Sequence, residues 1–209
     1  MDCDLTGLLV AAERPPAQAG GDSLRRPHPS RWRGESPLPP GGGPGGCGRA
    51  GRSVKSGRNL TVGVDGPKAL GADVTGIDLV GEFIDHARAN FPGPEFRLGS
   101  MTELDVPDHS VAGILSWYST IHLPPQELGH VLTEFRRMLT PSGRLVIGFF
   151  DSDDEVAAFD HKVLTAYRWP VDEFAALLTK AGFTELQRLR QQFPDRPDRR
   201  YAAIAASAT

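Results

Sequence analysis

From about residue 68 onward, apolar positions follow two alternating rhythms, one suited to strands and one to helices. The run "ADVTGID" (72–78) predicts a short, mostly buried strand, and "VGEFIDHARANF" (80–91) predicts a helix with Phe83, Ile84, Ala87 and Phe91 on one face. Strands are expected at "EFRLG" (95–99) and "VAGILSW" (111–117). Between residues 125 and 138, Leu128, Val131, Leu132 and Phe135 recur at helical spacing, with Leu139 just beyond. "PSG" (141–143) ends that helix and launches the strand "RLVIGFF" (144–150). An acidic loop over 151–169 precedes the helix "PVDEFAALLTKAG" (170–182), which has Pro at its start and Gly at its end. Two closing strands, 184–190 and 199–207, flank a Pro-rich turn. Strands alternating with helices predict a mostly parallel, Rossmann-like α/β sheet with helices on both faces. The hairpin-like closing pair predicts an antiparallel C-terminal edge.

Residues 13–58 have a different composition, with runs such as "RRPHPSRWRG" and "PLPPGGGPGG". Proline removes backbone donors, glycine raises the entropy cost of ordering, and few large apolar groups offset that cost. The chain therefore divides into an atypical, largely disordered N-terminal segment (1–67) and an α/β domain (68–209). Such an abrupt change is also what a shifted reading frame or a misplaced start would leave, and recovery of peptides from 14–58 would exclude that origin.

Charge follows the same division. Residues 14–58 carry nine Arg or Lys against Asp22 and Glu35, whereas residues from Asn59 onward hold 14 basic and 21 acidic side chains. A basic arm suggests nucleic acid, but this one has a single aromatic residue, Trp32, and no helical spacing of its arginines, so no nucleic-acid partner is expected. Cys3 and Cys47 form no CxxC pair and have no ligand spacing, so neither a disulfide framework nor a metal site is expected. No apolar run approaches the roughly 18–20 residues of a membrane span. "LTGLLVAA" (5–12) follows Asp2 and Asp4 where a secretory leader would carry basic residues. The reading is a cytoplasmic protein with no membrane partner, its oligomeric state left open.

In doubly wound sheets, ligands bind outside the carboxyl ends of the strands. Asp78 closes the first of these strands, where a carboxylate accepts both hydroxyls of a ribose or, alternatively, faces a helix N-terminus. Ser100 and Met101 follow the next strand and could border an adenine, although methionine also serves as plain core. Ser116 and Trp117 close the strand after that, with Trp117 either a ligand wall or sheet-end packing. His122 and His161 are the candidate general bases, each with a packing or surface role as the alternative; His86 has no partner implied.

Three stretches, "GADVTGIDLVGEFIDHARANFPGPEFRLGSMTEL", "VAGILSWYSTIHLPPQELGHVLTEFRRMLTPSGRLVIGFF" and "VDEFAALLTKAGFTEL", together resemble the small single-domain class I S-adenosylmethionine-dependent methyltransferases. The resemblance runs from about Leu70 to Ala206. It implies S-adenosylmethionine as cofactor, Asp78 with Leu79 at the ribose, Ser100 and Met101 beside adenine, and Ser116 and Trp117 near the methionine part. Relatives often carry Asp where Ser100 stands, which implies a weaker contact to the adenine amino group. Methyl transfer depends largely on aligning nucleophile, methyl carbon and sulfur, and a base is needed only if the nucleophile must lose a proton.

The family's first strand should run into a Gly-x-Gly-x-Gly loop. Gly46 and Gly48 in "GCGRAGR" (46–52) match its opening, but "LPPGGGPG" stands where the strand should be. "LTVGVDG" (60–66) reads as a strand yet leaves too short a crossover to the next one. The first strand and loop are thus degraded or missing. Three functions remain: methyl transfer to a small-molecule acceptor, a catalytically impaired methyltransferase fold serving as a binding or regulatory module, and a nicotinamide-dependent oxidoreductase. The last shares the strand-end acid but lacks the glycine fingerprint and a Tyr-x-x-x-Lys pair.

Overall fold

The computed structural model describes residues 8–12, 73–161, 164–194 and 196–209. Most of the N-terminal segment, including Gly46, Gly48 and the run at 60–66, lies outside the described residues. The described elements are β1 (Leu8–Ala12), β2 (Asp73–Asp78), α1 (Gly81–Asn90), β3 (Glu95–Leu98), β4 (Val111–Trp117), α2 (Pro125–Met138), β5 (Leu139–Ser152), β6 (Ala157–His161), β7 (Leu164–Pro170), α3 (Val171–Lys180), β8 (Phe183–Phe193) and β9 (Arg196–Ala208).

The fold is the expected Rossmann-like α/β arrangement. β2 pairs parallel with β3, and β5 pairs parallel with both β4 and β7. β9 runs antiparallel to β5 and forms a hairpin with β8, giving the antiparallel edge. Alanines line the buried face of β9: Ala202, Ala206 and Ala208, with Ile204 between them, leave room for the larger Leu145, Ile147 and Phe149 of β5.

Two apolar clusters cover the sheet. Ile84 and Ala87 of α1 pack with Val74 and Phe96, whereas α2 and α3 contribute to the main cluster with Ile77, Ile114 and Leu145. Val74 and Ile77 have opposite parity on β2, so the two clusters occupy opposite faces. In the main cluster Phe149 and Phe174 stack with ring centres 4.0 Å apart. α2 has Pro at its start, Glu127 in its first turn and Arg136 and Arg137 in its last, a charge order that suits the helix dipole. Arg137 also ties down the loop before β4 through the carbonyls of Leu104 and Val106 and the carboxylate of Asp108.

Three features differ from the sequence reading. Leu8–Ala12 lies between β2 and β4, antiparallel to both. It satisfies two strand edges whose backbone groups would otherwise lack partners. Second, the expected acidic loop at 151–169 contains the hairpin β6–β7, attached to the carboxyl end of β5. Third, β5 begins at Leu139, and its pairing with β4 shifts between Val111 and Gly113 to absorb residues 140–143. No helix among the described residues is long and apolar enough to cross a membrane.

Candidate functional site

At the carboxyl ends of β2 and β3, the loop that follows β4 closes a pocket of about 210 Å³. Asp78 is the carboxylate in its wall, with only 5% of its surface exposed. The Val80 N–H donates to Asp78 Oδ1 at 2.9 Å, and the Gly99 N–H donates to the Asp78 backbone carbonyl at 2.9 Å. Oδ2 is buried and meets no donor among the described residues. Burial pushes this carboxyl up from 3.8 to about 6, against the lowering pull of the Val80 and Leu79 N–H groups.

The turn after β3 forms the adjoining wall. Ser100 Oγ lies 2.7 Å from Thr102 Oγ1 and accepts the Thr102 N–H at 3.3 Å, a local turn that fixes Met101 beside the pocket. At Gly99 a Cβ would come within 3.3 Å of Ile77 Cγ2, so the close approach of this backbone to the Ile77 side chain favours glycine there.

The third wall comes from the loop after β4. Tyr118 adopts φ 55°, a left-handed conformation that few bulky residues take up, while its N–H donates to the Gly148 carbonyl at 3.0 Å. The chain leaves the strand at this point and brings Ser119 and His122 to the pocket. Ser119 Oγ is 2.6 Å from Ser116 Oγ. His122 Nδ1 is 2.7 Å from the Thr165 carbonyl. That oxygen can only accept, so Nδ1 carries the proton and Nε2 of the neutral ring keeps its lone pair.

The structure therefore brings Asp78, Leu79, Ser100, Met101 and His122 to one pocket. Ser116 is fully buried and stands one hydrogen bond behind the wall, through Ser119. Trp117 covers Gly148, where a Cβ would meet the indole at 2.8 Å, and packs edge-on against Tyr118. His161 sits on β6, not in a loop, with its ring centre 5.5 Å from that of His122 and 5.4 Å from that of Phe150. Gly46 and Gly48 lie outside the described residues. Sequence reasoning missed Ser119; its signal was the i, i+3 spacing from Ser116 across a strand end. No cluster of three or more potential metal ligands occurs among the described residues.

Comparison with known proteins points to one family and one fold. Residues 61–143 match a family model described as a methyltransferase domain. That match begins beyond Gly46 and Gly48 and, starting at Thr61, includes most of the run at 60–66. The chain is 30% identical over 125 residues to an arsenite methyltransferase of Halobacterium salinarum, covering 54% of this chain and 32% of the relative. It thus spans about a third of that relative's length. Among solved structures, a 1,6-didemethyltoxoflavin-N1-methyltransferase from Burkholderia thailandensis, with bound 1,6-didemethyltoxoflavin and S-adenosylhomocysteine, superposes with a TM-score of 0.54 at 26% identity. That match covers 65% of this chain and 60% of the other. A SAM-dependent methyltransferase from Methanosarcina mazei gives 0.57 at 18% identity over 64% of this chain and 81% of its own, a likeness of fold.

Proposed function

We propose that this chain, which carries a class I S-adenosylmethionine-dependent methyltransferase domain, transfers the cofactor's methyl group to a small-molecule acceptor. The observation that carries this reading is the buried Oδ2 of Asp78, which has no partner among the described residues, on a side chain at the pocket wall. Burying a carboxylate oxygen without a donor is costly, and the hydroxyls of a ribose would supply the missing donors. Ser100 and Met101 would border the adenine, the first through its hydroxyl and the second through its thioether. A pocket of about 210 Å³ is smaller than the roughly 300–1,000 Å³ usual for ligand sites. It therefore suits the nucleoside end of the cofactor, not its whole length.

When bound, the cofactor supplies an electrophilic methyl on a sulfonium sulfur. The chain's own contribution is to hold and align that group and, for an acceptor that must lose a proton, to receive the proton at His122 Nε2. The hydrogen bond to Thr165 holds the ring in the required tautomer. His161, packed against His122, is a positioning residue in this scheme.

A second reading, an impaired methyltransferase fold acting as a binding module, is favoured by the direction of β1. Ala12 pairs with Asp73, so β1 ends at the strand-end edge opposite the one that carries Asp78. No match favours the nicotinamide alternative. Calorimetric titration of S-adenosylhomocysteine into the full chain separates the first two readings. Micromolar affinity, reduced at least thirtyfold in Asp78→Ala, is expected for the first; absence of heat from a folded protein would leave only the second.

A further inference from the structure

A second, more polar pocket of about 200 Å³ opens on the same edge of the sheet, where β5, β6, β7 and β9 meet. β2 and β4 both run opposite to β1, and β5 runs with β4, so the carboxyl ends of β2 and β5 share an edge. Arg168, Arg199 and Arg200 line this pocket with Asp151 and Asp160. The nearby acids take up part of that positive charge. Asp151 Oδ2 is held by Arg190 Nε at 2.8 Å, and Asp153 is shared between Arg190 and Arg200. The Arg168 guanidinium lies 4.4 Å over the Phe159 ring and meets no carboxylate among the described residues. Stacking occupies its face and leaves its in-plane N–H donors for a ligand. Asp151 is 5% exposed, and its Oδ1 is buried with no hydrogen-bond partner among the described residues.

We infer that this pocket receives an anionic group of the methyl acceptor, a carboxylate or a phosphate, at Arg168 and Arg200, with a hydrogen-bond donor of the same ligand meeting Asp151. Only the word acceptor rests on the function proposed above; the anion site rests on the pocket itself. Ring contacts from Phe150 through His161 to His122 connect the two pockets. An acceptor anchored by its anion would therefore be held on the His122 side of the sheet edge.

The test titrates acetate, inorganic phosphate and methylammonium into the full chain at matched ionic strength, with and without S-adenosylhomocysteine, followed by calorimetry. Saturable binding of one of the two anions is expected, weakened at least tenfold by Arg168→Gln and by Arg200→Gln, and which anion binds identifies the group. S-adenosylhomocysteine affinity should stay within twofold in both variants. Arg200 is partly exposed, so its variant serves as the folding-safe partner to Arg168→Gln, and thermal melts confirm that both are folded. Tighter binding of methylammonium than of either anion, failure of both anions to saturate, or anion affinity unchanged in both variants would overturn the inference. If S-adenosylhomocysteine alone fails to bind, the proposed cofactor site falls, while the anion titrations still decide this pocket.

Discussion

Asp78→Asn separates a buried carboxylate from an ordinary surface one through its pH dependence. The carboxyl of the folded chain titrates at about 6 instead of 3.8 because burial disfavours its charged form. A shift of that size corresponds to about 3 kcal/mol, at about 1.4 kcal/mol per pKa unit. Because the folded value is the raised one, the folded chain keeps its proton longer than the unfolded chain. This group's contribution is then most favourable below about pH 4, declines as pH rises from 4 to 6, and is constant above. Between pH 4 and pH 7 the loss integrates to about 2.4 kcal/mol. Asparagine retains the acceptor for the Val80 N–H but places an amide nitrogen where Oδ2 has no partner among the described residues. That substitution costs about 1–3 kcal/mol at every pH. The stability difference between variant and parent therefore takes either sign at one pH, but it should shift toward the variant by about 2 kcal/mol from pH 4 to pH 7. Urea unfolding of both proteins at the two pH values, followed by tryptophan fluorescence, measures it, and all other titrating groups cancel. A difference that moves by less than about 0.5 kcal/mol would refute the buried state of this carboxyl.

The same carboxylate should govern ligand affinity: S-adenosylhomocysteine should bind about tenfold more weakly at pH 5 than at pH 7, since only the ionised form accepts two hydroxyls, and a flat calorimetric profile would contradict this. Gly148→Ala should destabilise the chain by about 1–3 kcal/mol, because its Cβ would meet the Trp117 indole at 2.8 Å. Gly99→Ala, facing only the Ile77 methyl at 3.3 Å, should cost less, and thermal melts of the two rank them. Val10→Pro should cost about 1–3 kcal/mol by removing a donor from a strand paired on both sides, with Val10→Thr as the mild control; equal melting temperatures for the two would place Val10 outside the sheet.

The helices and the strands from β2 to β5 were readable because their periodicity is local. α2 runs over 125–138 as the Leu128–Phe135 spacing requires, and β4 matches "VAGILSW". The hairpin β6–β7 was not readable, since "DSDDEV" precedes it and the buried positions His161, Ala166 and Trp169 are scattered among polar ones without a turn dipeptide. Asp78, Ser100 and Met101 follow from the rule that ligands gather at strand ends. Ser119 required knowing that Tyr118 takes a left-handed turn, a conformation that tyrosine does not announce.

β1 was the hardest element to foresee, and it bears most on function. Its partners β2 and β4 lie some sixty and a hundred residues away, and pairing at that separation has no signature in a five-residue apolar run. Direction matters more than presence. A parallel strand in this slot would deliver the residues that follow it to the Asp78 edge, as a cofactor loop requires. Antiparallel β1 places Leu8 there instead, opposite Ile77 and Ser116, and Ala12 at the far edge opposite Asp73. Binding at Asp78 should therefore respond to substitution at the Leu8 end of β1 more than at the Ala12 end. The reverse order would mean that the slot holds a strand of the opposite direction.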